Sequence, residues 1–501
     1  MRIVRESLIV CGLLVILVAS AATWFFRQGY LLYYGDAQAH LNISRSIFDS
    51  RTPGYDQIGT VWLPLLHVIC LPFVQNNWLW HTGLAGTIPV ACCFVVAGTF
   101  FYLAAREAYA SALAASVAVA CFALNPNILY LASIPMTEVV FLAGLAVMLF
   151  ALLRFRRTQE RGLLMLGVAA SWSMSLTRYD GWFLIPFAGL GFALLAKRHK
   201  WAILILFGAL ASLAPLYWIA SNYWETGDAL SFYRGPYSPV AIQKGLPYEG
   251  LHNWKLAFQY YWDAGRWCTG WPLIILGAIG AVCAVWKRCA IQLAFLLLTP
   301  IFYVWSMHSS GGTPMHLPDL PPHSYYNSRY GIAVLPLCAV TAAAIAITLP
   351  LRYRRWAIAL PIICVLGWVI QPSPDHWICW KESEQNSIAR RAWTQQAAQF
   401  LEANYRSGQG VLAPFGDVTG VFCASQIPLI ETLHEGNGPA WLAAVSRPDL
   451  LHTELWAIAS GGSTTAKALI ASGSPYRVVR VIRVPGAPDL FIYKRKFSGD
   501  Q

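Results

Sequence analysis

The sequence predicts a polytopic α-helical membrane protein of about eleven transmembrane helices, followed by a small extracytoplasmic α/β domain. Three observations predict it. Only 12% of the 501 residues are charged, about half of the roughly 25% usual in soluble proteins. Mean hydropathy is +0.48 and 57% of residues are hydrophobic. Long charge-free gaps recur, each able to cross a hydrocarbon core about 30 Å thick. A soluble enzyme of this length needs several domains with charged surfaces, and the charge for them is absent. The net charge of +12 belongs to loops that fix topology. Nucleic-acid binding is excluded, because no basic block is interleaved with stacking aromatics.

The first span lies in the twenty uncharged residues between Glu6 and Arg27. Arg2, Arg5 and the run Ala19-Ser20-Ala21 also fit a signal peptide. The apolar run continues through Trp24-Phe25-Phe26, which favours an anchor. Residues 57–105 carry no Asp, Glu, Lys or Arg. Within them 61–75 is short and interrupted by Pro64 and Pro72, so it reads as a surface or re-entrant helix, and about 84–105 as a span. Further spans are predicted at about 108–125, 136–153, 162–177, 181–196, 201–221, 268–286, 289–307, 330–351 and 356–371.

With the N-terminus inside, the basic clusters at Arg106, Arg154/Arg156/Arg157/Arg161, Lys197/Arg198/Lys200, Lys287/Arg288 and Arg352/Arg354/Arg355 all fall in the cytoplasm. Of thirteen acidic residues before position 374, only Glu6, Glu107 and Glu160 share that side. The other ten lie outside, and the chemistry is expected there. The predicted localisation is therefore the cell (inner) membrane, multi-pass, with the C-terminal domain extracytoplasmic. The transmembrane domain is read as 1–371, with outer loops 27–83 and 222–267, and the soluble domain as 372–501. A helical pattern at about 386–405 and short β-branched runs at 476–482 and 490–493 give that domain its α/β character. The aromatic 222–267 loop reads as an interfacial belt.

Twelve cysteines are too few for a disulfide scaffold, and with no C-x-x-C pair neither a zinc site nor a thioredoxin-like motif is supported. Most lie in apolar runs. Only Cys268, Cys379 and Cys423 fall in or beside segments placed outside the membrane.

Four short motifs sit at outer boundaries. Gly35-Asp36-Ala37 follows the first span, with His40 four residues on and on the same helical face. A carboxylate there is desolvated enough to act as a base and remains reachable from water; it also suits the cap of the following helix. Pro135-Met136-Thr137-Glu138 opens the fourth span. Thr177-Arg178-Tyr179-Asp180 makes a tight turn, in which Arg178 and Asp180 also suit a simple ion pair. Asn327-Ser328-Arg329-Tyr330 leads into the tenth span, where Arg329 also suits a snorkelling anchor. Together they place ionisable groups at a membrane boundary, where such groups are costly and usually functional.

In these motifs, their order and their membrane placement, residues 1–370 resemble the GT-C class of integral-membrane glycosyltransferases. The likeness is to the protein O-mannosyltransferase and aminoarabinose-transferase branch. The resemblance implies transfer of a sugar from a polyprenyl-phosphate donor to a glycan, lipid or protein acceptor outside the cytoplasm, usually with inversion. Asp36 then takes the place of the catalytic carboxylate. Glu138 helps to hold sugar or acceptor, and Arg178 and Arg329 face the donor phosphate. His40, Asp180, Asn327 and Tyr330 complete the substrate-binding set, His40 being equally a structural histidine. The first loop lacks the Asp-x-Asp or Asp-Glu pair that oligosaccharyltransferase-type members use with a divalent metal. No cofactor is therefore expected, and a metal is not favoured. The competing class is a transporter or flippase of lipid-linked saccharides. Transporters often carry repeats and midplane charges, and this sequence shows neither. A non-catalytic scaffold would not need the boundary charges.

Overall fold

A computed structural model describes residues 2–243, 245–416, 418–447, 454–471 and 473–496. Among these, seven helices are long and apolar enough to cross a membrane: Ile3–Arg27, Leu84–Tyr109, Thr137–Thr158, Lys200–Thr226, Ile291–Ser309, Ser328–Thr348 and Leu351–Ile370. The bent pair Trp254–Thr269 and Trp271–Trp286 makes an eighth if it counts as one span.

The remaining predicted spans are helices of 12, 15, 16 and 16 residues: Ala112–Ala123, Arg161–Ser175, Asp180–Leu195 and Trp271–Trp286. At about 1.5 Å per residue they reach roughly 18 to 24 Å, short of the hydrocarbon core. The eleven-span count therefore rests on four helices that length alone does not qualify. The segment read as a surface or re-entrant helix is Leu65–Val74, ten residues with Pro72 inside, about 15 Å long.

Sequence explains the helix ends. Thr137–Thr158 starts with Glu138 in its first turn and finishes with Arg156 and Arg157, charges that suit the positive and negative ends of the helix dipole. Gln159 then turns left-handed at φ 60°. On the first helix Leu8, Leu13 and Ile16 are exposed, as apolar side chains are when the surrounding solvent is lipid. Between Trp254–Thr269 and Trp271–Trp286 the chain bends by 106° at Gly270, whose φ is +84°. A Cβ there would lie 2.9 Å from the Trp368 ring, so only glycine fits the corner.

The chain forms two compact units. The first comprises Met1–Gln28, Thr60–Leu66 and Thr87–Glu382; the second comprises Gly29–Gly59, His67–Gly86 and Ser383–Gln501. The second unit contains a five-stranded sheet in the order β2-β1-β3-β5-β4. Its strands are β1 Val411–Leu412, β2 Thr432–Leu433, β3 Trp456–Ser460, β4 Tyr476–Ile482 and β5 Leu490–Arg495. β1 pairs in parallel with β2 and β3, while β5 runs antiparallel to β3 and β4. The register slips between Val478 and Arg480. Leu412, Leu433, Trp441, Ala457, Leu469 and Tyr493 pack the core on one side. All of the 386–405 helical pattern but its last residue falls within the longer helix Ile378–Asn404.

Candidate active site

Five of the predicted residues meet within the first unit. Glu138 stands in the first turn of Thr137–Thr158. Arg178 lies in the turn between Arg161–Ser175 and Asp180–Leu195, closed by its N–H donating to the Met174 carbonyl at 2.9 Å. That turn is tight enough that a Cβ on Gly181 would stand 2.5 Å from the Met174 and Ser175 backbone. Arg329 and Tyr330 begin the segment Ser328–Val334, entered through Asn327 in a left-handed conformation at φ 54°.

Arg178 donates from Nε to Asp180 Oδ2 (3.2 Å), from Nη1 to Thr137 Oγ1 (3.0 Å) and Glu138 Oε1 (3.1 Å), and from Nη2 to the Tyr303 hydroxyl (2.9 Å). Tyr303 in turn donates to Asp180 Oδ2 at 2.5 Å. Arg329 donates from Nε to the same Glu138 oxygen (3.2 Å) and from Nη1 to Glu382 Oε1 (2.7 Å). The other oxygen of Glu382 accepts the Ser328 hydroxyl and the Arg329 backbone N–H. Tyr330 stacks on Tyr303 with ring centroids 5.3 Å apart and lies 4.7 Å beneath the Arg178 guanidinium.

Two guanidiniums thus face three carboxylates, nearly all of it buried: Glu138 is 3% exposed, Arg329 7% and Glu382 1%. Glu138 Oε2 is buried without a hydrogen-bond partner among the described residues. The pairing of Arg178 with Asp180 exists, but as one edge of a network. Arg329 does not snorkel; it is buried and paired with two buried carboxylates. Asn327 stands apart from the network in its contacts, its amide donating to the Pro314 carbonyl at 2.9 Å. Buried charges are tolerated when paired and hydrogen-bonded, and this set is.

Asp36 and His40 belong to the second unit, on the helix Gly35–Ser46. Tyr34 occupies the cap position and makes no side-chain cap bond, so Asp36 is a first-turn residue rather than the cap. Its charge there complements the helix N-terminus, and the side chain is partly exposed. His40 is buried, its Nδ1 2.9 Å from His67 Nε2. Burial, and then the charge of His40, hold His67 well below the ordinary imidazole range. Asn42 ties the same helix to its surroundings, donating to Thr419 Oγ1 (2.8 Å) and accepting from the Trp80 indole (3.1 Å).

The second unit also contains a cavity of about 410 Å³ lined by Tyr33, Gln38, His81, Arg390, Arg391 and Cys423 among others. Arg390 donates to the Tyr33 carbonyl at 2.5 Å, and Arg391 lies 3.8 Å over the Tyr33 ring.

Sequence reasoning missed Glu382, Tyr303 and Thr137. Thr137 lies inside the Pro135–Glu138 motif but carries no role in the sequence reading. Tyr303 lay inside an apolar span, and Glu382 just before the 386–405 pattern, where a carboxylate reads as solvated surface. Extending that pattern back to Ile378 would have put Glu382 on a helix, but nothing local names Arg329 as its partner.

No family model matches the chain, and no curated protein matches it significantly. Among solved structures, ArnT from Cupriavidus metallidurans bound to undecaprenyl phosphate is similar at TM-score 0.56 and 14% identity, covering 95% of this chain and 97% of that one. The apo state of the same protein gives 0.55 and 14%, over 96% and 97%. Apolar spans followed by a small sheet, matched over nearly the full length of both chains, make this an ArnT-like GT-C fold.

Proposed function

We propose that the protein is a glycosyltransferase that moves a sugar from a polyprenyl-phosphate donor to an acceptor hydroxyl on the outer face of the membrane, inverting the anomeric centre. The observation that carries this reading is the near full-length likeness to a fold solved with undecaprenyl phosphate bound. In this reading it is a multi-pass protein of the inner membrane, with residues 372–501 outside.

In this reading Asp36 takes the proton of the acceptor hydroxyl. The acceptor oxygen attacks the anomeric carbon, and polyprenyl phosphate departs with the bonding electrons. Arg178 and Arg329 compensate the charge that develops on the phosphate. Their carboxylate partners fix the guanidinium planes, so that donors are oriented before reaction rather than during it. Glu138 Oε2, buried with no hydrogen-bond partner among the described residues, is the acceptor available to a donor-sugar hydroxyl. His40, held against His67, keeps the Asp36 helix in place. Asn327 shapes the entry to the Arg329 segment.

Native mass spectrometry of the purified protein with a synthetic polyprenyl phosphate tests donor recognition. A charge-assisted hydrogen bond is worth about 1.5–3 kcal/mol, so Arg329→Ala should weaken binding roughly 10- to 100-fold. Arg329→Lys should restore only part of it, because the planar fork is lost. Unchanged affinity in both variants would remove Arg329 from donor binding.

A further inference from the structure

Two cysteines that the proposed chemistry does not use meet from positions 111 residues apart. Cys268 is in the last turn of Trp254–Thr269, just before the Gly270 corner, and Cys379 is the second residue of Ile378–Asn404. Their sulfurs are 3.8 Å apart, and both residues are fully buried. One side chain holds both backbones: the Asn127 amide donates to the Cys268 carbonyl at 3.1 Å and accepts the Cys379 N–H at 3.0 Å. Asn125 adds a second bond to the Cys268 carbonyl at 2.9 Å. A disulfide needs sulfurs about 2.05 Å apart, so closure asks for less than 2 Å of sulfur movement.

We propose that Cys268 and Cys379 are joined by a disulfide in the mature protein. Each thiol gives up one proton and one electron. The two electrons pass to a disulfide-bearing thiol oxidase of the outer compartment, whose S–S bond breaks as the new one forms, and both protons end on its two sulfurs, so that it leaves as a dithiol. Once the helices are packed the sulfurs are out of reach, so the exchange precedes the docking of the Gly270 corner against the start of Ile378–Asn404. The availability of that oxidant rests on the outer-face reading given above; the juxtaposition of the sulfurs does not.

The bond has a mechanical consequence for the arginine network. Cys379 lies three residues, one helical turn, before Glu382, which holds Arg329. In the thiol form Cys268 Sγ is 3.4 Å from the Ser328 carbonyl, the residue before Arg329. The cross-link fastens the helix carrying Glu382 to the corner beside Ser328, so it limits the separation of Glu382 from Arg329.

The test is alkylation of the full-length protein after denaturation with and without reductant, followed by mass measurement and peptide mapping. Of the twelve cysteines, the proposal expects ten adducts without reductant, twelve with it, and a linked peptide containing Cys268 and Cys379. Twelve adducts in both arms, or a missing pair that maps elsewhere, would overturn it. A parallel sample synthesised cell-free into nanodiscs with diamide present, so that the oxidant meets the sulfurs before the helices dock, separates the causes. If diamide closes the bond that cells left open, the disulfide is absent because the outer-face reading fails. If diamide also leaves twelve thiols, the sulfur geometry is what fails. Cys379→Ser should give eleven adducts in both arms and melt about 5 °C lower than wild type, as loss of a long-loop cross-link does. An unshifted melting temperature would remove the cross-link's structural role.

Discussion

Removing the Glu382 carboxylate tests whether the arginine network is a single interdependent structure. Glu382 is 1% exposed and accepts from Arg329 Nη1 at 2.7 Å, from the Arg329 N–H at 3.2 Å and from the Ser328 hydroxyl. Glu382→Ala removes the acceptor that these three donors share, and of the two carboxylates Arg329 keeps only the Glu138 oxygen, which Arg178 also uses. Breaking one partner from a buried ion pair costs about 3–5 kcal/mol. For a cooperative unit of roughly 300 residues, an unfolding entropy of about 2.1 cal/mol/K per residue converts this into a melting shift of about 5–8 °C. Glu382→Gln keeps the shape and one acceptor oxygen, and should fall between wild type and Ala. Thermal unfolding in detergent by intrinsic fluorescence reads both. The double variant Arg329→Ala/Glu382→Ala should be less unstable than the sum of the singles by about 1–3 kcal/mol. A Glu382→Ala protein that melts within 1 °C of wild type, or strictly additive singles, would refute the network.

Two further perturbations follow from geometry. Burial, and then the nearby Arg51 charge, push His434 down to about 4, and its Nδ1 must stay unprotonated to accept the Gly436 N–H at 3.1 Å. The unfolded chain protonates first, near pH 6.5, so His434's contribution to stability is complete above that pH and is lost as pH falls toward 4. The loss is about 3 kcal/mol, and His434→Gln should flatten it; an unchanged pH slope in that variant would contradict the assignment. Gly270→Ala puts a Cβ at φ +84° and 2.9 Å from Trp368, costing about 2–3 kcal/mol, whereas wild-type melting would mean that the corner tolerates an L side chain.

What the sequence revealed follows what is local. Charge gaps between Glu6 and Arg27, or around 201–221, mark helices because the membrane penalises charge directly, and seven such stretches are helices of spanning length. Asp180–Leu195 and Ala112–Ala123 look the same by composition but are short, and hydropathy does not measure where a turn cuts the helix. Arg178, Arg329 and Glu138 were found because ionised groups at a membrane boundary stand out. Their partner Glu382 was not, because carboxylates are ordinary in a segment that reads as water-exposed. The alternative reading of Asp36 as a helix cap falls two residues late, since Gly35 itself is helical and Tyr34 precedes it. The Cys268–Cys379 contact is a long-range product of the fold that neither local sequence predicts.

The central claim is transfer from a polyprenyl-phosphate sugar with Asp36 as base. Purified protein in lipid nanodiscs, given a panel of synthetic polyprenyl-phosphate sugars and cell-envelope acceptors, can be followed by release of free polyprenyl phosphate. General-base catalysis contributes about 10²- to 10⁴-fold, so the wild type should release polyprenyl phosphate and Asp36→Asn should do so slower by that factor, with donor affinity nearly intact. Release by Asp36→Asn at the wild-type rate, or no release from any donor by a wild-type protein that binds them, would contradict the account.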